Sequence, residues 1–141
     1  MFYGEYGYKI DEKGRIPIPP KFRNVLKDGI VLTPGAEKCI TAYTALEWKK
    51  LSAALTGNAL TRSKIRKLRR VLFATAFSTR IDNQGRIPIP APLRDHAGMV
   101  DEVVIAGANT YLEIWDKALW EEEKRDSQEQ AWQIIESLEK P

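Results

Sequence analysis

Apolar and polar residues alternate in two short segments of this chain, Tyr6-Gly7-Tyr8-Lys9-Ile10 and Phe77-Ser78-Thr79-Arg80-Ile81, with the period of two that marks a half-buried strand. Each segment runs into a polar loop ending in glycine, Gly14 or Gly85, and then into Arg15-Ile16-Pro17-Ile18 or Arg86-Ile87-Pro88-Ile89. A glycine at that point supplies the left-handed residue of a three- or four-residue hairpin turn. On the return strand the isoleucines face one way and Arg and Pro the other. Proline has no N–H to donate, which places this strand at an edge or crossing point rather than in mid-sheet.

The alternation repeats because the sequence does. Ile10-Asp11-Glu12-Lys13-Gly14-Arg15-Ile16-Pro17-Ile18-Pro19 returns 71 residues later as Ile81-Asp82-Asn83-Gln84-Gly85-Arg86-Ile87-Pro88-Ile89-Pro90, identical at eight of ten positions. The two differences fall at the turn tip, where sequence is least constrained. Short proline-entered helices follow at Pro19–Leu26 and Pro90–Ala97, then paired apolar runs at Ile30–Leu32 with Cys39–Tyr43 and at Val103–Ala106 with Tyr111–Trp115. Each unit reads as strand, strand, short helix, strand, strand. A longer helix follows each unit: one begins at the capping box Thr44-Ala45-Leu46-Glu47 and ends at Gly57-Asn58, and the other is capped by Asp116 and carries Trp120, Ala131, Ile135 and Leu138. A third runs from about Thr61 to Phe73, with Ile65, Leu68 and Leu72 as its stripe. The chain therefore divides into a first repeat with its helix at 5–56, a connecting basic helix at 57–75, a second repeat with its helix at 76–125, and a C-terminal helix at 126–141. Without further information the pattern gives a duplicated, mostly β, α+β fold. Two halves of about 70 residues would each be marginal alone, so a shared core is expected.

Charge refines this picture. The net +3 conceals a split: residues 116–141 hold eight acidic and four basic side chains, whereas residues 1–115 hold 18 basic and 11 acidic. The repeat-bearing body favours an anionic partner. The densest basic cluster, Arg62 to Arg70, reads first as a solvated or subunit-facing helix side. Its partner could instead be the acidic Glu121-Glu122-Glu123 segment, within a chain or between chains. Candidate chemistry is narrow. Asp11 and Asp82 leave one strand as Arg15 and Arg86 enter the next, so each carboxylate can hold a guanidinium in a fixed pose. A pre-oriented Arg suits bidentate contact with guanine or phosphate. The turn-stabilising ion pair is the competing reading, and the duplication, with Lys9, Lys13, Lys21, Arg23, Arg80 and Arg94 around it, favours the functional one.

Other function classes lack their residues. His96, the single histidine, has no Cys or acidic neighbour at metal-ligand spacing, and no glycine loop for phosphate or nucleophile elbow is present. No catalytic residue, cofactor or metal site is expected. Cys39 reads as a small buried hydrophobe, and Trp48, Trp115, Trp120 and Trp132 as core or helix-packing anchors. Neither a signal-peptide pattern nor an apolar run of about 20 residues is present, which points to a cytoplasmic protein.

At the paired Asp-x-x-Gly-Arg hairpins the chain resembles the MraZ family, bacterial regulators encoded with cell-division and cell-wall genes, and more broadly the swapped-hairpin barrels of the SpoVT/AbrB type. Phe2-x-Gly4-Glu5-Tyr6, Lys21-Phe22-Arg23, Leu72-Phe73-Ala74, Pro92-Leu93-Arg94 with Ala97-Gly98, and Glu113-Ile114-Trp115 extend the likeness over nearly the whole chain. The resemblance implies a duplicated barrel with pseudo-two-fold symmetry and long helices, assembly of chains into rings, and nucleoid-associated promoter binding. It places contact with double-stranded DNA on Arg15 and Arg86, extended to Lys13, Lys9 and Arg80, with Asp11, Gly14, Asp82 and Gly85 supporting the motif. An oligomeric scaffold with only nonspecific DNA affinity is the alternative, and an antitoxin-like partner is a variant of the regulator.

Overall fold

A computed structural model describes residues 1–56 and 62–139; the expected helix break at Gly57-Asn58, the expected helix start at Thr61 and the last two residues lie outside that range. In chain order the described elements are β1 (Glu5–Lys9), β2 (Arg15–Pro17), a 3-10 turn (Pro20–Phe22), β3 (Ile30–Pro34), β4 (Ile40–Thr44), α1 (Ala45–Thr56), α2 (Arg62–Leu72), β5 (Phe77–Thr79), β6 (Arg86–Pro88), α3 (Ala91–Ala97), β7 (Glu102–Gly107), β8 (Tyr111–Asp116) and α4 (Lys117–Glu139). The fold is α+β with strands in the majority. The first short helix tightens to a single 3-10 turn, whereas its counterpart α3 completes and ends on a left-handed Gly98.

The strands that the motif places next to each other in sequence do not pair with each other. β1 pairs with β7 of the second repeat and β5 with β3 of the first, in one antiparallel sheet ordered β1-β7-β8-β4-β3-β5. β2 and β6 leave that sheet and pair with each other as a two-stranded antiparallel ribbon. The hairpin expected within each motif is therefore a turn only: Asp11 N–H donates to Arg15 O at 2.9 Å and Gly14 N–H to Asp11 O at 3.0 Å, after which the strands diverge to partners in the other repeat. Proline explains the separation, since a strand containing Pro17 or Pro88 cannot present a full set of donors to a sheet. Among the described residues no ladder joins the edge strands β1 and β5, so the sheet is open where a closed barrel was expected.

The register is symmetric. Ile16 faces Ile87, the same position in each motif, and on the main sheet Thr41 faces Glu113 with Ile40↔Ile114 and Ala42↔Leu112 on either side. A local two-fold axis runs between these pairs. The core lies along it: Ile16, Ile18, Leu32 and Ile40 from the first repeat and Ile87, Ile89, Ile105 and Ile114 from the second are essentially inaccessible to solvent and form one cluster. The shared core expected for two marginal halves is what forms.

Alternation along β4 and β8 sends Ile40, Ala42, Leu112 and Ile114 into that core and Thr41, Tyr43, Glu113 and Trp115 to the opposite face of the sheet. The long helices cover that opposite face. Trp48 of α1 lies 5.7 Å from the ring of Tyr43, and Trp120 of α4 lies 5.8 Å from Trp115. α1 is capped as its sequence predicts, Glu47 N–H donating to Thr44 Oγ1 at 3.0 Å. Asp116 stands just before α4, but its carboxylate accepts from Val100 N–H instead of capping the helix. α2 packs on β3 and α4 on β7 and β8, in different halves of the sheet, so the basic and acidic segments are not brought together across it. The core and packing role expected for tryptophan holds for Trp48, Trp115 and Trp120 and fails for Trp132, which is 71% exposed. No described helix is long and apolar enough to cross a membrane.

Truncation at the axis tests the shared core. Ile16→Ala is expected to destabilise by about 2–5 kcal/mol in denaturant unfolding, as a single cooperative transition. A cost below about 1 kcal/mol, or two separate transitions, would contradict one core.

Candidate nucleic-acid interface

The ribbon is built to turn arginine outward. Ile16 and Ile87 point into the core, and the intervening positions of the same strands, Arg15 and Pro17 on one, Arg86 and Pro88 on the other, face away from it. Because the strands are antiparallel and related by the local axis, the two arginines stand diagonally on the face turned away from the core, Arg15 opposite Pro88 and Arg86 opposite Pro17, with their side chains 28% and 25% accessible.

Each arginine is held by the aspartate four residues before it. Asp11 Oδ1 accepts from the N–H groups of Lys13 and Arg15, both at 2.9 Å, and Oδ2 accepts from Arg15 Nε at 2.9 Å. Asp82 repeats this with Gln84 and Arg86, its Oδ2 3.2 Å from Arg86 Nε. One carboxylate thus closes the turn and orients the guanidinium, so the turn-stabilising and side-chain-orienting readings describe the same contact. Asp11 Oδ2 also lies 3.8 Å from Arg86 Nη1, coupling the two repeats. Backbone donation from Arg15 and from Arg86 lowers the Asp11 and Asp82 carboxyls below their ordinary value, with the Arg side chains and the Lys13 and Gln84 backbone adding to it.

A second device was not legible in advance. Gly14 and Gly85, with φ of 74° and 79°, accept through their carbonyls from Ile89 N–H at 2.7 Å and Ile18 N–H at 2.8 Å of the other repeat. Over each glycine lies the other repeat's arginine: Arg94 Nη1 donates to Ile89 O at 2.6 Å and covers Gly14, and Arg23 Nε donates to Ile18 O at 2.9 Å and covers Gly85. A Cβ at either glycine would collide with that guanidinium. Arg23 and Arg94, counted above with the basic flank, are therefore structural latches between repeats. Their one sequence signal is that they too sit 71 residues apart. Lys21 likewise leans on aromatic rings, its Nζ 4.8 Å from the centre of Tyr3. Lys9, Lys13 and Arg80 are exposed at the strand ends and turn, flanking the ribbon.

Elsewhere, Glu37, Cys39 and Glu113 bring three possible ligand atoms within 4.8 Å of one another. Burial, reinforced by the Glu113 carboxylate, pushes the Cys39 thiol up to about 12, so binding a metal there would have to expel a tightly held proton. Cys39 is buried as expected, but beside carboxylates rather than in the apolar cluster. His96 Nε2 lies 3.1 Å from Glu37 O and 3.2 Å from Gly35 O, and fixes the β3–β4 loop.

Two outcomes follow from the turns. Gly85→Ala should cost about 1–2 kcal/mol from the left-handed backbone alone and displace Arg23, whereas Gly7→Ala, with open space around it, should stay within about 0.5 kcal/mol; equal effects in thermal unfolding would remove the latch. Since both aspartates are lowered in the folded chain, their contribution is complete above the ordinary carboxylate value of 3.8 and is lost as pH falls through the lower folded values. Carboxyl titration by NMR should place both midpoints below 3.8, and a midpoint at or above it would contradict the hydrogen-bonded turn.

With this geometry in place, the relatives of the chain can be compared. A family model described as "MraZ protein, putative antitoxin-like" matches twice, over residues 1–71 and 72–137. A protein of Dehalococcoides mccartyi strain BAV1 named "Transcriptional regulator MraZ" is 59% identical over 140 residues, 99% of either chain. Proteins of the same name from Acetivibrio thermocellus and Thermoanaerobacter pseudethanolicus are each 42% identical over 138 residues, covering 98% of this chain and 96% of theirs. Matched twice by the family model and along nearly its full length by these relatives, the chain belongs to the MraZ family.

Proposed function

We propose that this protein is a sequence-specific DNA-binding transcriptional regulator of its own cell-division and cell-wall operon, acting from the cytoplasm and nucleoid as an oligomer on short repeated promoter boxes. The observation that carries the reading is the ribbon: two antiparallel strands whose outward face presents Arg15 and Arg86 in aspartate-held poses. A two-stranded ribbon is one of the few elements that enters the major groove, and a guanidinium restrained at Nε keeps donors for a guanine edge or a phosphate. Lys9, Lys13 and Arg80 supply the surrounding positive potential that holds the duplex by its backbone. The exchange of β2 and β6 between repeats fits the swapped-hairpin arrangement of the SpoVT/AbrB type, in which both motifs must be present to make one ribbon.

One ribbon offers two arginines, which is little for a specific site. Several copies in a ring would present several ribbons to repeated boxes, raising effective concentration wherever box spacing matches the geometry. The relatives' shared name, "Transcriptional regulator MraZ", supports the regulatory assignment. The antitoxin-like description in the family model draws no support from the described C-terminal segment, where residues 117–139 form one helix.

The test replaces both arginines. Arg15→Ala with Arg86→Ala should weaken binding to the chain's own upstream promoter DNA by about 30-fold or more, since each bidentate contact is worth about 1–3 kcal/mol, while the unfolding midpoint shifts little. Unchanged affinity in anisotropy titrations would remove the ribbon from the interface. Equal affinity of the native chain for promoter and unrelated DNA would favour the scaffold.

A further inference from the structure

The ribbon has two ends, and they are not alike. Its three facing pairs run from Arg15↔Pro88 through Ile16↔Ile87 to Pro17↔Arg86, so the turn of the first repeat leads in at one end and the turn of the second at the other. Eight of the ten motif positions are identical, and the local axis relates them. The two that differ stand at the turn tips, Glu12-Lys13 at one end and Asn83-Gln84 at the other. All four residues are exposed, and among the described residues none of their side chains takes a hydrogen bond or an ion pair.

Their backbones, by contrast, are fixed. Asp11 Oδ1 accepts from Lys13 N–H and Arg15 N–H, both at 2.9 Å, and Asp82 Oδ1 from Gln84 N–H and Arg86 N–H at the same 2.9 Å. One carboxylate oxygen thus binds the tip residue and the arginine two places on, so both side chains start from neighbouring points of one closed turn. In a ribbon lying along the groove, two residue steps of about 3.3 Å separate Arg15 from Arg86, which is about two base pairs of about 3.4 Å each. The tips lie outside that span and reach the pairs that flank it.

The chemistry at the two ends differs in kind. The Gln84 amide carries a donor and an acceptor side by side, matching N6 and N7 of adenine, whereas the Lys13 ammonium has donors only, matching O6 and N7 of guanine. Glu12 next to that lysine repels phosphate, which favours a base contact there over a backbone one. A second asymmetry lies behind the tips: Arg86 Nη1 is 3.8 Å from Asp11 Oδ2 as well as paired with Asp82, whereas among the described residues Arg15 pairs with Asp11 alone.

We infer that Lys13 and Gln84 are specificity-determining residues of the ribbon, Gln84 reading adenine at one end and Lys13 guanine at the other, so that a two-fold element takes a non-palindromic site and binds it in one direction. The inference deepens the proposed function and rests on its placing of DNA at the ribbon. Two identical motifs would read the same half-site twice, and divergence at the tips is what gives the site its direction.

Selection of bound sequences from a randomised duplex library tests it, at exposed positions whose exchange does not threaten the fold. The native chain should select a site with adenine at one end and guanine at the other. Gln84→Lys should select guanine at both ends and Lys13→Gln adenine at both, each preferred over the native base by about tenfold, the size of one bidentate contact. The double exchange, Lys13→Gln with Gln84→Lys, should return the native sequence, because it only interchanges the ends. A palindromic site for the native chain, or an unchanged site in both single variants, would overturn the inference and leave the arginines as the readers. Uniform weakening across all sequences in Lys13→Gln, with a salt slope smaller by about 1, would make that lysine a phosphate contact and overturn it too. Failure of the double exchange to restore the native site does the same. No selected sequence at all with the native chain would remove the proposed function itself, and the inference with it.

Discussion

Everything in this fold depends on β2 and β6 pairing with each other around Ile16 and Ile87, instead of each pairing with the strand before it in sequence. Neither repeat can build its own sheet edge or its own ribbon, because each needs a strand from the other. The consequence is energetic as well as topological. Two halves too small to stabilise themselves bury the same isoleucines in one core, and the turn of each is sealed by a backbone contact and an arginine from its counterpart. Exchange therefore fixes the ribbon at the two turns that lead into it.

Rigidity of that kind is what separates a recognition surface from a merely basic one. Long side chains on a mobile loop lose rotamer freedom on binding, at about 0.5–1.5 kcal/mol for each group immobilised. Arg15 and Arg86 have spent part of that cost on folding, since the carboxylates of Asp11 and Asp82 fix both the turn and the guanidinium. The same arrangement explains why the motif reads Asp-x-x-Gly-Arg. Asp must accept two backbone N–H groups, Gly must take a left-handed φ beneath an arginine, and Arg must lie across the strand from its counterpart's proline.

Much of this was legible in the sequence. Identity at eight of ten motif positions announced the duplication, alternation located the strands, and proline gave notice that β2 and β6 could not sit in mid-sheet. The partner of each strand was not legible, because local pattern fixes which face of a strand is buried and says nothing about which strand lies beside it. Arg23 and Arg94 were misread for a related reason: charge counts as surface until its partners are found, and although Ile18 O and Ile89 O lie only five residues before them, the glycine turns they cover, at Gly85 and Gly14, are brought beneath them by the other repeat. Trp132 erred in the opposite direction, an apolar residue at helical spacing with no body of its own chain beneath it. The Cys39 environment, set by Glu113 from the other repeat, was equally beyond local reading.

The most direct measurement of the central claim is a salt titration of the purified protein on its own upstream promoter fragment, in the presence of excess unrelated DNA. Two oriented arginines on a rigid ribbon, ringed by lysine and arginine, require saturable binding that survives the competitor, with log affinity falling linearly against log salt by a slope of about 0.9 for each phosphate contacted. Binding erased by the competitor, at any salt concentration, would contradict specific recognition and leave the ribbon as architecture alone.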